Sequence, residues 1–337
     1  MPSPTLSDIH VNRPLSQISV AYLQQDRNFV ADRVFPIVPV PFKSDRYYTY
    51  HRDAWFRSDA TERAPGTESA GTGWTLDNNS TYSCRVYAEH TDISEQIYAN
   101  ADSVLNMDRD GTMLITKQLQ ILKESIFITN FFGTGLWTGN GASDMTGVTA
   151  SPGANQFLRW DQAGSTPIED VQTQILNVAQ LTGYRPNKLV IGPYVWKALR
   201  NNAEIIDRVK YVQKGFLTEA NLAEAFGVDE VLVPMATQNT AVEPAAPTLN
   251  GSTLSMSFMY PKSALLVYAA PNPGLMQPSG GYTFAWTGLM PFAGGGHVTV
   301  SKFYLNWLKA WRLECEMAMD LKQIASDMGV FFTTAVS

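Results

Sequence analysis

Apolar and charged residues alternate with a period of two near the C-terminus of this chain. Leu313, Cys315, Met317, Met319 and Leu321 take one set of positions, and Arg312, Glu314, Glu316, Asp320 and Lys322 take the other. Successive strand side chains point to opposite faces, so the spacing predicts a long strand over 312–324 with one buried face. A different period runs through 101–132, where Ile115, Leu119, Leu122 and Ile126 recur at i, i+4, i+7 and i+11. That is the spacing of one buried helix face. A helix of about 25–30 residues would extend roughly 40 Å, the length of a strut. Gly111 weakens its first half by about 1 kcal/mol relative to Ala, and Gly133 and Gly135 mark its end.

From Thr166 the pattern becomes alternating helix and strand. Ser165 or Thr166 caps a helix with Pro167 at its first position, and Ile168, Val171, Ile175 and Val178 form its apolar stripe. Lys188–Ile191 reads as a short buried strand and Pro193–Asn201 as a short helix. Thr218–Phe226 reads as a helix capped by Thr218 and stopped by Gly227. Asp229–Met235, Lys262–Ala269 and His297–Leu305 read as strands, and Val330–Val336 ends the chain. Residues 133–166 are rich in Gly, Ser, Thr and Asn and predict loop, and Pro271–Gly296 predicts a Pro/Gly-rich connection.

The first ninety residues lack such order. Pro2, Pro4, Pro14, Pro36, Pro39 and Pro41 forbid long helices at both ends of an extended lead-in over 1–40, with a short helix predicted at 16–25. Leu15–Tyr22 and Phe29–Val38 carry apolar residues with no partner nearby, so the arm is expected to order only by docking elsewhere. Residues 42–90 read as a two-stranded arm. One side is Phe42–Arg57, the other Trp74–His90, and the polar segment Ser58–Gly73 lies between them. Tyr48, Tyr50, Tyr82 and Val86 fit a strand pattern, yet Arg and Asp interrupt both faces. A lone hairpin is marginal in water. The arm is therefore expected to lie on another molecule, and the chain to be built for assembly.

Composition narrows the chemistry. The 337 residues are 45% hydrophobic and 17% charged, with a net charge of −6. That balance argues against a surface gripping nucleic acid through its phosphates. Two distant cysteines, Cys84 and Cys315, make neither a disulfide framework nor a zinc spacing. No signal peptide or membrane span is visible. None of His10, His51, His90 and His297 has a His or Cys partner at metal-site spacing, and no metal or cofactor is expected. "GTGLWTG" at Gly133–Gly139 follows a helix and opens none, so it fails the context of a phosphate loop. Asp108 and Asp110 cannot share a helix face. Glu314 and Glu316 do share a strand face, beside Arg312, and are expected to form a charge ladder to a neighbouring strand or subunit. Tyr47, Tyr48, Tyr50, Trp55 and Phe56, mixed with Arg46, Arg52 and Arg57, fit single-stranded nucleic acid or a protein contact; Asp45, Asp53 and Asp59 favour the protein.

The order of arm, hairpin, long helix, α/β unit and long strand resembles the major capsid proteins of tailed bacteriophages, the HK97-like fold. The phrases "LTGYRPNKLVIGPYVWKALRNN" and "WRLECEMAMDL" share their flavour. The resemblance implies an α+β fold with five parts. These are an N-arm over 1–40, an extended hairpin loop over 41–90, and a peripheral domain over 91–165 whose spine helix is Asp102–Phe132. An axial domain over 166–300, and the peripheral domain's return strands with a C-terminal strand over 301–337, complete it. It further implies a non-enzymatic subunit that self-assembles as hexamers and pentamers into an icosahedral head. That head encloses double-stranded DNA by non-specific proximity, in a virion assembled in the host cytoplasm. Scaffolding, portal and decoration proteins are the implied partners, with the scaffold separate from this chain or lacking. Tyr48, Tyr50, Trp55, Arg57, Trp74, Glu314 and Glu316 are expected at subunit interfaces. Two other readings stay open. One is a decoration protein. The other is a soluble α/β enzyme with a site at the strand ends of 188–270, using Asp207, Arg208 and Lys210, although no triad or ligand set appears there.

Overall fold

A computed structural model describes residues 24–50, 52–101, 105–139, 143–209, 217–241, 255–274, 276–289 and 298–337. His10, His51, His297, Lys210 and most of the helix expected at 16–25 lie outside these residues. After a 3-10 turn at Asp26–Asn28, the first described elements are the short helix α1 (Ala31–Val34) and strand β1 (Ile37–Val40). Four short strands follow, β2 (Ser44–Arg46), β3 (Thr49–Tyr50), β4 (Leu76–Asp77) and β5 (Thr81–Ser83). Then come β6 (Arg85–Ser94), α2 (Glu95–Asn100) and the long α3 (Met107–Phe131). Next are β7 (Met145–Val148), β8 (Gln156–Leu158), α4 (Pro167–Thr182), β9 (Lys188–Ile191), α5 (Pro193–Arg200), α6 (Ala203–Val209) and α7 (Glu219–Phe226). The last strands are β10 (Glu230–Leu232), β11 (Thr237–Asn239), β12 (Met256–Phe258), β13 (Ala264–Val267), β14 (Gly281–Trp286), β15 (Thr299–Leu305), β16 (Ala310–Gln323) and β17 (Gly329–Thr333).

The period-two segment forms β16, the central strand of a five-stranded sheet. β6 runs antiparallel along one edge, from Ser94 opposite Ala310 to Arg85 opposite Met319. The other edge is shared by β15, opposite Ala310–Glu316, and β14, opposite Met319–Gln323, with β1 parallel beyond β14. The second side of the hairpin therefore stops near Ser83, and from Arg85 the chain belongs to this sheet. Pro271–Gly296, read as a connection, contributes β14 as well.

α3 spans 25 residues from its N-cap Asn106, whose side chain accepts from the Arg109 amide, so it starts five residues later than Asp102. Its buried residues are Ile115, Leu119, Lys123, Glu124, Phe127 and Phe131. The expected stripe held in the first half only. Leu122 is 37% exposed, because the C-terminal half turns a second face toward residues 30–35. Phe35 packs against Phe131 with ring centroids 4.7 Å apart. Gly111 marks a close approach to the sheet, since a Cβ there would lie 2.8 Å from Leu313 and 3.1 Å from Thr91.

The second sheet has the order β10-β9-β13-β17-β7-β8. Val190, Leu232, Leu265, Val267 and Phe331 face the core beneath α3, while Leu189, Ile191, Leu266, Val330 and Phe332 face the core under α4–α7. Burial on both faces explains why these strands are continuously apolar and short. The stripe Ile168, Val171, Ile175 and Val178 is buried as expected, and Thr218 caps α7 by accepting from Asn221. One expectation fails here: residues 133–166, read as loop, hold β7 and β8. β17 lies in this sheet between β13 and β7. β7 takes its place from β17, a partner distant in sequence, and β8 joins through β7, which local composition does not encode.

Trp137, in the segment that resembles a phosphate loop, joins the two sheets. It is fully buried, its Nε1 donates to the Phe131 carbonyl at 2.8 Å, and Gly280 and Gly329 leave room for its ring. Trp137→Ala is expected to cost about 3–5 kcal/mol, measured by urea denaturation, because it opens a cavity between two core layers. Asp170 accepts from Trp160 Nε1 at 3.0 Å, and burial, with Glu204 and Glu169 adding, raises its carboxyl from 3.8 to about 6. The folded state thus holds this proton more tightly than the unfolded chain, so ionisation opposes folding at neutral pH. Stability is expected to rise as pH falls from about 6 toward about 4, and Asp170→Asn to remove that slope. With water screening its partly exposed edge, the gain at pH 7 in the variant is on the order of 1–2 kcal/mol, read from denaturation midpoints across pH.

Candidate assembly surface

The hairpin consists of two brief ladders. Ser44, Asp45 and Arg46 pair with Ser83, Tyr82 and Thr81, and Thr49 and Tyr50 pair with Asp77 and Leu76. Between them the residues Tyr47 and Tyr48 face Asn78–Ser80, so the ladder is bulged. Its root is firm. Tyr82 stacks on Phe284 at 4.7 Å and Tyr47 on the same ring at 5.9 Å, beside buried Val40, Cys84 and Tyr282. The Ser83 amide donates to Asp320 at 2.9 Å. Burial pushes the Cys84 thiol up to about 11, so it sits in the core as an unreactive thiol.

Beyond the root the side chains meet water. Tyr48 is 65% exposed, Trp55 53% and Trp74 67%, and Tyr50, Arg57 and all of 58–73 are exposed too. Tyr50 and Trp55 meet edge to face at 6.2 Å. Tyr48, Trp55 and Trp74 are thus large aromatics held in water around a ladder that has no core of its own. The arm also touches its own chain, which its sequence did not signal. Arg52 Nη1 donates to Asp327 at 2.6 Å and to the Leu181 carbonyl at 2.7 Å. Nothing in the local sequence separates Arg52 from Arg46 or Arg57.

Glu314 and Glu316 lie half-exposed on the outer face of β16, opposite His90 and Ala88 of β6 and Ser301 and Thr299 of β15. The ladder on this face is closed by Arg312, which makes a two-pronged ion pair with Asp92, both contacts at 2.7 Å. The Arg312 guanidinium holds the Asp92 carboxyl below its ordinary range. Among the described residues no hydrogen bond or ion pair joins Glu314 or Glu316 to the hairpin aromatics. Sequence reading missed a second exposed apolar tip. Trp307, 77% exposed, and Leu308 occupy the β15–β16 turn, where Lys309 has a φ of 49°. The register places this turn at the Ala310 end of β16 and the hairpin root near its Met319–Gln323 end. From Ala310 to Asp320, which meets the hairpin root, the strand spans about 35 Å.

The base of the arm is docked on its own subunit, contrary to the expectation for Phe29–Val38. Val30, Ala31, Val34 and Phe35 are buried against α3. Glu124, 1% exposed, accepts from the amides of Val30 at 2.9 Å and Ala31 at 3.1 Å and from the Tyr260 hydroxyl. Burial raises its carboxyl above the ordinary range, against the pull of these donors. Lys123 pairs with Asp32 on the adjacent turn.

Among the described residues no group of three or more His, Cys, Asp and Glu is placed to hold a metal ion. A shallow cleft lies where Asp32, Arg33 and Phe35 cross Lys188, Asp229 and Glu230. Its charges face one another, with Arg33 and Glu230 2.6 Å apart. Asp207 and Arg208, suggested for a catalytic site, do not line it, and Arg208 lies 3.7 Å from Glu204 within α6. No described helix is long and apolar enough to cross a membrane.

Arm, bulged hairpin, long helix under a long-stranded sheet, and a six-stranded α/β unit together make the HK97-like capsid fold, an α+β architecture. A phage-related protein from Bordetella bronchiseptica overlays with a TM-score of 0.66 at 19% identity, covering 93% of each chain. The capsid structure of cyanophage P-SCSP1u overlays with a TM-score of 0.58 at 10% identity, covering 98% of this chain and 94% of that one. In sequence, the chain is 21% identical over 231 residues to the major capsid protein of Burkholderia phage BcepMu, spanning 68% of this chain and 70% of that one. No family model matches. The resemblance seen in the element order and these comparisons meet on the same fold.

Removing the Glu124 carboxylate strands three buried donors. Glu124→Ala is expected to cost about 3–5 kcal/mol. It should also speed amide exchange at Val30 and Ala31, at the start of α1, before the amides of α3, as read by hydrogen exchange.

Proposed function

We propose that this protein is the major shell subunit of a tailed-phage head. Copies associate as hexamers and pentamers that close into an icosahedral particle around double-stranded DNA, within a virion assembled in the host cytoplasm. The observation that carries the reading is the exposed aromatic hairpin on an HK97-like fold. Such a surface is costly for a lone chain and becomes favourable when a second copy covers it. The likeness in sequence to a phage major capsid protein supports the same reading.

The mechanism is mechanical and not enzymatic. Each subunit lends its hairpin to a neighbour, and Tyr48, Tyr50, Trp55 and Trp74 fill apolar contacts while Arg57 pairs at the rim. Glu314 and Glu316 face another subunit from the outer surface of the sheet. Trp307 and the hairpin root stand at opposite ends of β16, which gives one subunit contact points far enough apart to reach different neighbours. Closed symmetry then turns one kind of contact into a shell. Scaffolding, portal and decoration proteins are its partners, and the net charge of −6 lets DNA lie close without tight phosphate binding.

Electron microscopy and sedimentation of the expressed protein, alone and with a neighbouring scaffold product, test this reading. Shells or capsomers are expected, with a concentration-dependent subunit state; a monodisperse monomer under every condition would contradict it. Deleting Ser58–Gly73 is expected to leave the α/β unit folded, by circular dichroism and melting, and to abolish closed shells. Normal particles from the deletion would remove the hairpin from the mechanism.

A further inference from the structure

The hairpin carries its own anchor. Arg52 opens the short 3-10 turn Arg52–Ala54, and its Nη1 reaches both the Asp327 carboxylate and the Leu181 carbonyl, at 2.6 and 2.7 Å. Leu181 lies in the last turn of α4, where carbonyls lack helical partners and carry partial negative charge. Asp327 lies between β16 and β17. The two side chains of the ion pair are only 26% and 16% exposed. A few residues on, the Phe56 ring sits against Gly183, where a Cβ would come within 3.0 Å of it. Gly183 has a φ of 74° as the left-handed cap of α4. The same missing side chain that ends the helix thus makes the seat for the ring.

The ladder cannot set this pose by itself. Its two pieces are short, a bulge separates them, and 58–73 has no buried residue. With Arg52 seated, Tyr48, Trp55 and Trp74 still face water. The anchor engages Arg52 and Phe56 and leaves Tyr48, Trp55 and Trp74 uncovered.

We propose that Arg52 is a positioning residue for assembly. It clamps the hairpin to its own subunit, so that Tyr48, Trp55 and Trp74 are presented in one pose before another copy arrives. Fixing the pose in advance lowers the ordering cost of association. The proposal rests on the shell-subunit reading. Its sign separates it from a contact that only stows the hairpin, whose loss would speed assembly.

The test compares full-length wild type with Arg52→Ala, Asp327→Asn and the charge swap carrying both Arg52→Asp and Asp327→Arg. Hydrogen exchange of 42–50 and 74–83 is followed in dispersed subunits, alongside thermal melting. The critical concentration for particles is read by light scattering and electron microscopy. Both single variants are expected to exchange about tenfold faster in these segments with little change in melting. Their critical concentration is expected to rise about tenfold, and the swap to return both quantities toward wild type. Unchanged exchange in Arg52→Ala overturns the clamp. Faster exchange with an equal or lower critical concentration overturns the positioning role. If wild type forms no particle at any concentration, the shell-subunit reading fails and the assembly role with it. The exchange result distinguishes that failure from a failure of the clamp.

Discussion

A buried carboxylate places the exposed parts of this subunit. Glu124 projects from α3 toward the amides that open α1 and toward the Tyr260 hydroxyl. A charge so deeply buried is costly without partners. Two amides at a helix start and a hydroxyl supply donors where the helix dipole also favours an acid. The result is a joint between three regions: the arm base, the long helix and the edge of the α/β unit. α1 leads into β1, β1 lies parallel to β14, and Phe284 of β14 receives both tyrosines of the hairpin root. The direction in which the hairpin leaves the body therefore traces back, contact by contact, to one carboxylate on the long helix.

The two cores divide the work. The sheet centred on β16 and the α/β sheet share the apolar layer around α3 and Trp137, which makes the body stiff. The hairpin has no such layer and is held by a rooted pair of tyrosines and by Arg52. Packing at the root thus sets the position of the arm while its aromatics keep their apolar area exposed. The outer face of β16 shows the opposite logic. Arg312 and Asp92 satisfy each other across the strands, so that face is polar and quiet within the subunit.

Parts of this architecture were legible in the chain. The alternation around Leu313–Leu321 became β16, and the stripe Ile168–Val178 became the buried face of α4, because both rest on local periods that packing did not override. The exposed aromatics of the hairpin were legible for a similar reason: Arg and Asp on both faces left no side for a core. Other readings failed where the partner is distant. β7 looks like loop because its pairing to β17 spans most of the second half of the chain, and β8 joins the sheet only through β7. Leu122 fits the helical period yet faces water, because the arm base turned the buried face of α3.

What the amino-acid sequence determined alone is the set of elements with strong periods, their order, and the presence of an arm without a core. Side-chain periodicity is local chemistry, and it survives in any fold that buries one face. Only the tertiary structure decided which sheet each strand joins, that the arm base docks in cis, and that Arg52, not Arg57, meets an acid. Those outcomes depend on chain segments far apart in sequence arriving at the same place, and no local pattern carries that information.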